Sequence, residues 1–186
     1  MAQEGKKAEA PARVSCIAVL PTVPVIETEQ EPTAEEWQDL EKGIVVMDSL
    51  LQEALAARPR VRFTTDTAMA DGARGPEALQ ELATQTGCNA VLEVTLGRYT
   101  ERVGNEFGVD RPAAVTFSYR LYDTQEGRML CHGRFEERQQ ALMDNLFTLN
   151  KVRTRGLVWL TAEELARSGI REKFGECSYL GGPVGK

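Results

Sequence analysis

The feature that most constrains this chain is the apolar run Val14-Ser15-Cys16-Ile17-Ala18-Val19-Leu20, stopped by Pro21. A strand with one wet face alternates apolar and polar residues, whereas an uninterrupted run reads as an interior strand covered on both faces. The segments that follow supply the cover. Thr33-Ala34-Glu35-Glu36 has the spacing of a capping box. Beyond it Trp37, Leu40, Ile44, Met47, Leu51 and Leu55 recur at helical spacing, predicting a helix to about Ala57, stopped by Pro59. Val61–Thr64 predicts a short strand. Pro76 opens a second helix carrying Leu79, Leu82 and Ala83, with Gly87 as its terminating residue. Ala90 to Leu96 is apolar again and predicts the next strand.

From Gly97 the pattern changes. Gly97 to Pro112 reads as a long, glycine-containing loop of mixed charge. Val115, Phe117, Tyr119 and Leu121 then alternate with Thr116, Ser118, Arg120 and Tyr122, which is the signature of a half-buried strand. Asp123-Thr124-Gln125-Glu126-Gly127 is a hairpin connection, and Met129 to Arg138 returns as the partner strand. Leu142, Leu146, Leu149 and Val152 restore a helical rhythm that extends to Leu165. A second capping box at Thr161-Ala162-Glu163-Glu164 divides it, and Ser168-Gly169 reads as a stop.

The order β-α-β-α-β, then a β-hairpin, then α, predicts an α/β (α+β) domain. It has a mixed five-stranded sheet with helices packed on it. Residues 1–13 are polar and read as a flexible tether, 14–174 as the domain, and 175–186 as a loose glycine-rich tail. A tether directly after Met1 has two readings. Either a cytosolic protein begins with a loose end, or the segment follows a removed signal peptide, Met1 standing where a lipidated Cys stood.

Composition narrows the chemistry. The 22 basic and 28 acidic side chains leave a net charge of -6, and the only basic cluster, Lys151 to Arg155, is short, so nucleic-acid binding is not expected. No run approaches the apolar length of a spanning helix. Cys16, Cys88, Cys131 and Cys177 show no zinc-type or iron–sulfur spacing. Cys16, Cys88 and Cys131 lie in or beside expected strands, where thiols commonly pack as buried hydrophobes; a Cys16–Cys88 bridge stays open if the compartment is oxidising. His132 is the only histidine and falls mid-strand, facing away from Cys131, so it builds neither a metal site nor a thiol dyad. No phosphate loop, dinucleotide fingerprint, nucleophile elbow or HExxH run is present. No catalytic, cofactor-binding or metal-ligating residue is therefore assigned. The expected interaction surfaces are the apolar carboxy-terminal helix and the 97–112 segment, where Tyr99, Arg102, Phe107 and Arg111 are residue types that anchor interfaces.

Several spaced residues carry a resemblance. They are Ile17-Ala18-Val19-Leu20-Pro21; Gly43, Val46, Asp48-Ser49-Leu50-Leu51 and Leu55; Leu82-Ala83 with Thr86 to Leu92; and Leu121-Tyr122-Asp123 with Gly127 and Met129-Leu130. Over residues 14 to 138 this pattern resembles the fold shared by the amino-terminal domain of TolB, the curli-secretion lipoprotein CsgG and the penicillin-binding-protein activator lipoproteins. The resemblance implies a bacterial outer-membrane lipoprotein facing the periplasm. It would bind envelope proteins without catalysis and meet the membrane only through a lipid anchor; a homo-oligomer stays open. It tips the amino terminus towards the tether reading. The 97–112 segment is too short and charged for the membrane hairpins of the pore-forming relatives. Two other functions stand behind this one. A periplasmic small-ligand or glycan-binding module would need an aromatic-lined pocket, against an aromatic content of 6%; a hydrolase would need converging titratable groups.

Overall fold

A computed structural model describes residues 13–26, 32–58, 60–65, 76–104, 109–139 and 160–181. In chain order the elements are β1 (Ile17–Val19), β2 (Val23–Pro24), α1 (Ala34–Leu55), β3 (Val61–Phe63), α2 (Pro76–Thr86), β4 (Ala90–Thr100), β5 (Val103–Gly104), β6 (Val109–Arg111), β7 (Ala114–Asp123), β8 (Met129–Arg138) and α3 (Ala162–Gly175). The main sheet runs β3-β1-β4-β7-β8, and β2 pairs with β4 beyond the end of β1, giving six strands. β3, β1 and β2 run parallel to their partners, whereas β4, β7 and β8 are antiparallel. The architecture is the mixed α/β sheet with helices that the sequence predicts, with β2 as an added strand.

Local chemistry sets the boundaries. Thr33 and Glu36 cap each other at the start of α1, the Glu36 N–H donating to Thr33 Oγ1 and the Thr33 N–H to Glu36 Oε2. Thr161 and Glu164 do the same for α3. Gly87 ends α2 at φ 66°, its N–H donating to the Ala83 carbonyl at 2.8 Å. In the β7–β8 turn the Gln125 N–H donates to Asp123 Oδ1 at 2.7 Å, and Gly127 supplies a positive φ, 66°.

Alternation along the strands sends residues to two cores. Ile17, Val19, Leu92, Val94, Phe117 and Leu121 face α1 and α3, whereas Ala18, Leu20 and Val91 face Leu79 and Leu82 of α2. Each fully buried leucine contributes roughly 1.5–3 kcal/mol. On the β7–β8 side the second face carries polar rows instead. Glu93, Arg120 and His132 are in register across β4, β7 and β8, and so are Thr95, Ser118 and Arg134.

Four expectations change. The Ser168-Gly169 stop is not one: α3 passes through it to Gly175, and Gly169 is buried because the helix presses on the sheet there. A Cβ on Gly169 would sit 2.6 Å from Phe135 and 2.8 Å from Phe117. The segment after Gly175, expected to be loose, turns back through 176–181 and buries Cys177 and Leu180. The cysteines are not packed thiols. Cys16 is bonded to Cys88 and Cys131 to Cys177, with Cα–Cα separations of 4.6 and 6.0 Å. The first bridge ties the entry to β1 to the α2–β4 connection, and the second ties β8 to the turn after α3. Finally, β4 continues to Thr100, so the 97–112 excursion is shorter than expected. The helical rhythm over 142–159, the 151–155 basic cluster and most of the tether lie outside the described residues.

Gly169→Ala should lower stability by roughly 1–3 kcal/mol through overpacking against Phe135 and Phe117. Gly175→Ala, with nothing within 4 Å of the added Cβ, should leave the melting temperature unchanged or raise it. Thermal denaturation of the two variants checks the pair; equal losses would mean that α3 does not sit on the sheet as described.

Candidate interaction surface

The structure separates the residues expected to form the surface. Tyr99 is a core residue, 3% exposed, because the register shift between Leu96 and Arg98 turns it beneath α1. Gly43 of α1 allows that approach, since a Cβ there would lie 2.5 Å from the Tyr99 side chain. Burial, and then the hydrogen bond that the Tyr99 hydroxyl donates to Glu101 at 2.9 Å, push the phenol well above its ordinary pKa. Tyr99 is thus a packing residue that holds α1 over the end of β4. Arg102 is partly exposed just before β5. Phe107 lies outside the described residues.

Arg111 ends β6, which pairs with β5 as a separate two-stranded ribbon. Its guanidinium reaches across to the first turns of α1, 2.7 Å from Glu35 and 3.5 Å from Asp39. The Glu35 pair is exposed and contributes little by itself. Asp39 is buried, so its carboxylate needs the guanidinium beside it. The ribbon is thereby tied to the amino-terminal end of α1.

Trp37, expected in the apolar stripe of α1, is 40% exposed at this same end. The stripe begins one turn later, at Leu40, where the sheet starts to cover the helix. Val103 of β5 is 45% exposed, and Val25 and Ile26, which follow β2, are 37% and 38% exposed. The Val25 N–H donates to the Leu96 carbonyl, which places that segment along the same stretch of β4. Large apolar groups and an arginine are therefore gathered where β2, α1 and the ribbon end. Sequence periodicity hides Trp37, because the spacing that assigns it to the core does not reveal where the sheet stops.

A second concavity, about 340 Å³, lies between α1 and α3 over Leu50, Ile170, Phe174 and Leu180. Its arginines are largely engaged. Arg167 pairs with Glu53 and Glu163, and Arg58 donates to the Tyr179 carbonyl. His132 is exposed on β8, opposite Arg120. Among the described residues no group of three or more His, Cys, Asp or Glu is placed to hold a metal ion, and no helix is long and apolar enough to cross a membrane.

No protein-family model matches the chain, and no curated protein does. Solved structures do. The chain is similar to the PelC dodecamer from Paraburkholderia phytofirmans, at 16% identity and a TM-score of 0.52 over 86% of this chain and 84% of that one. It is similar to the hypothetical protein CT253 from Chlamydia trachomatis, at 12% identity and a TM-score of 0.50 over 87% and 94%. The lipoprotein GNA1162 from Neisseria meningitidis aligns at 17% identity and a TM-score of 0.44 over 75% and 94%. At these identities the likeness is one of fold. It assigns the chain to no particular superfamily.

Thr33→Ala should cost roughly 1 kcal/mol by removing the α1 cap. The Thr33 backbone and then side-chain hydrogen bonds hold the Glu36 carboxyl below its ordinary range. A lowered folded-state pKa means that Glu36 stabilises the fold above the ordinary carboxylate range and stops doing so as pH falls through the lowered value. Denaturant melts from neutral to acid pH should therefore show the difference between wild type and Thr33→Ala narrowing on acidification. A difference that stays constant would mean the box is not formed.

Proposed function

We propose that this chain is a non-catalytic, lipid-anchored domain of the bacterial periplasm that binds envelope proteins and so assembles or regulates a complex. The observation that carries the reading is the pair of disulfides. Stable bridges form and persist in oxidising compartments and are rare in a reducing cytosol, and here they take up all four cysteines. In the bacterial envelope that compartment is the periplasm, consistent with the expected resemblance to the TolB, CsgG and activator-lipoprotein group and with a polar tether leading to an outer-membrane anchor.

The contact surface in this reading is the end of the domain where Arg111, joined to the first turns of α1, lies near the exposed Trp37 and Val103, with Arg102 just before Val103. Aromatic and arginine side chains dominate binding energies at protein interfaces, which favours this end over the charged outer faces of the helices. Homo-oligomerisation is part of the proposal, since the fold occurs in a dodecamer.

Intact mass of the gene product isolated from its own cells, measured after alkylation with and without reduction, tests compartment and anchor together. The expected result is no alkylation before reduction, four alkyl groups after it, and a lipid-modified amino terminus recovered with membranes. Four free thiols in an unmodified cytosolic protein would overturn the reading.

A further inference from the structure

The carboxyl ends of β1 and β3 open into a crevice of about 300 Å³ walled on one side by α1. Crevices beyond the carboxyl ends of parallel strands are where open α/β sheets commonly hold ligands. We propose that this crevice binds one ring of a neutral saccharide. The site goes beyond the protein-binding reading and shares no residue with the surface at Arg111.

The argument rests on what lines it. Asp48 and Gln52, one turn apart on α1, face Pro21, Phe63, Thr64 and Thr65 from the strand ends. Asp48 Oδ1 accepts the Thr22 N–H at 2.9 Å, which fixes the carboxylate and leaves Oδ2 to take a second hydrogen bond. Gln52 is exposed and carries an amide donor and acceptor. The wall also holds unmet hydrogen-bonding capacity. Thr64 Oγ1, in the lining, is shielded from solvent without a hydrogen-bond partner. A buried hydroxyl left unpaired is costly, and a ligand that brings hydroxyls can meet Thr64 after a turn about χ1.

The apolar side of the crevice completes the requirement. Phe63, at the sheet edge, is 42% exposed, and Pro21 lies beside it. A flat ring with an apolar face and a rim of hydroxyls fits a carboxylate, an amide and threonine hydroxyls set around an aromatic side chain. Charge decides the class within sugars. Among the described residues the lining has one carboxylate and no cationic side chain, so an acidic sugar would place a second negative charge beside Asp48 unpaired.

Titration of the ¹⁵N-labelled domain with N-acetylglucosamine, cellobiose and maltose, followed by amide chemical shifts, tests the site. The expected result is saturable shifts at Thr22, Gln52, Thr64 and Thr65 with at least one of the three. Phe63→Ala and Gln52→Ala, both at exposed positions, should each weaken that binding by roughly tenfold while leaving the thermal melt in place. Glucuronate should bind at least that much more weakly than the neutral probe. No saturable shift at these amides with any of the three sugars, equal binding of glucuronate, or full affinity in both variants would overturn the proposal. None of these outcomes bears on the thiol state or the lipid anchor, so it fails separately from the periplasmic reading.

Discussion

Everything in this fold leans on β4, which is hydrogen-bonded on both sides and covered along most of its length. On one side it takes β1 and β2 in parallel, and on the other β7 in antiparallel register. Its alternate residues serve different layers: Leu92, Val94 and Leu96 meet α1 and α3, while Val91 meets α2. A slip of one residue would send both sets to the wrong side at once, so the register is strongly specified. The single departure, between Leu96 and Arg98, falls where the strand leaves its parallel partners. That shift carries Tyr99 under α1 and releases the chain into the β5–β6 ribbon.

The helical layer is fixed to the sheet less by bulk than by closeness. Gly43 lets α1 touch Tyr99 and Leu96, and Gly169 lets α3 touch Phe135 and Phe117. Tyr119 then clips the far end of α3, its ring edge-on to Phe174 with centroids 5.1 Å apart and its hydroxyl donating to the Lys173 carbonyl. The Cys131–Cys177 bridge closes the same corner covalently. Cross-linking residues so far apart in sequence restricts the unfolded chain, typically adding about 2–4 kcal/mol. The bridge therefore secures the last helix against the sheet.

Features specified by adjacent residues were legible in the sequence. Both capping boxes, the terminating Gly87, the Asp123–Gly127 turn and the β7 alternation are local patterns, and the structure carries each of them. Features decided by distant partners were not. Gly169 has the look of a helix stop, and only the aromatic rings of β7 and β8 beneath it show that it is a packing contact. Tyr99 and Trp37 traded places for the same reason: composition made Tyr99 a surface anchor and periodicity made Trp37 core, whereas the bulge in β4 and the limit of the sheet decide otherwise. The Cys16–Cys88 bridge was open from the sequence and is formed, whereas the Cys131–Cys177 pairing was not legible, since those two are brought together by α3 lying across β8. The crevice was invisible for a related reason, as Asp48 reads as a solvated helix acid until Thr22 is found donating to it.

Placement of the two proposed sites follows from α1. This helix runs back along β4, from Arg111 at its amino-terminal end to the crevice at Asp48 and Gln52, so one rigid element presents both surfaces. Groups that recognise a ligand work best when their own positions are already settled. Asp39 is held by Arg111 and Asp48 by the Thr22 backbone, and between them Gly43 locks the helix against Tyr99. The side chains that face outward around these anchors, Trp37 near the first and Gln52 near the second, need no place in the core. They can therefore meet a ligand without giving up a place in the core, and that is the property recognition on a rigid element needs.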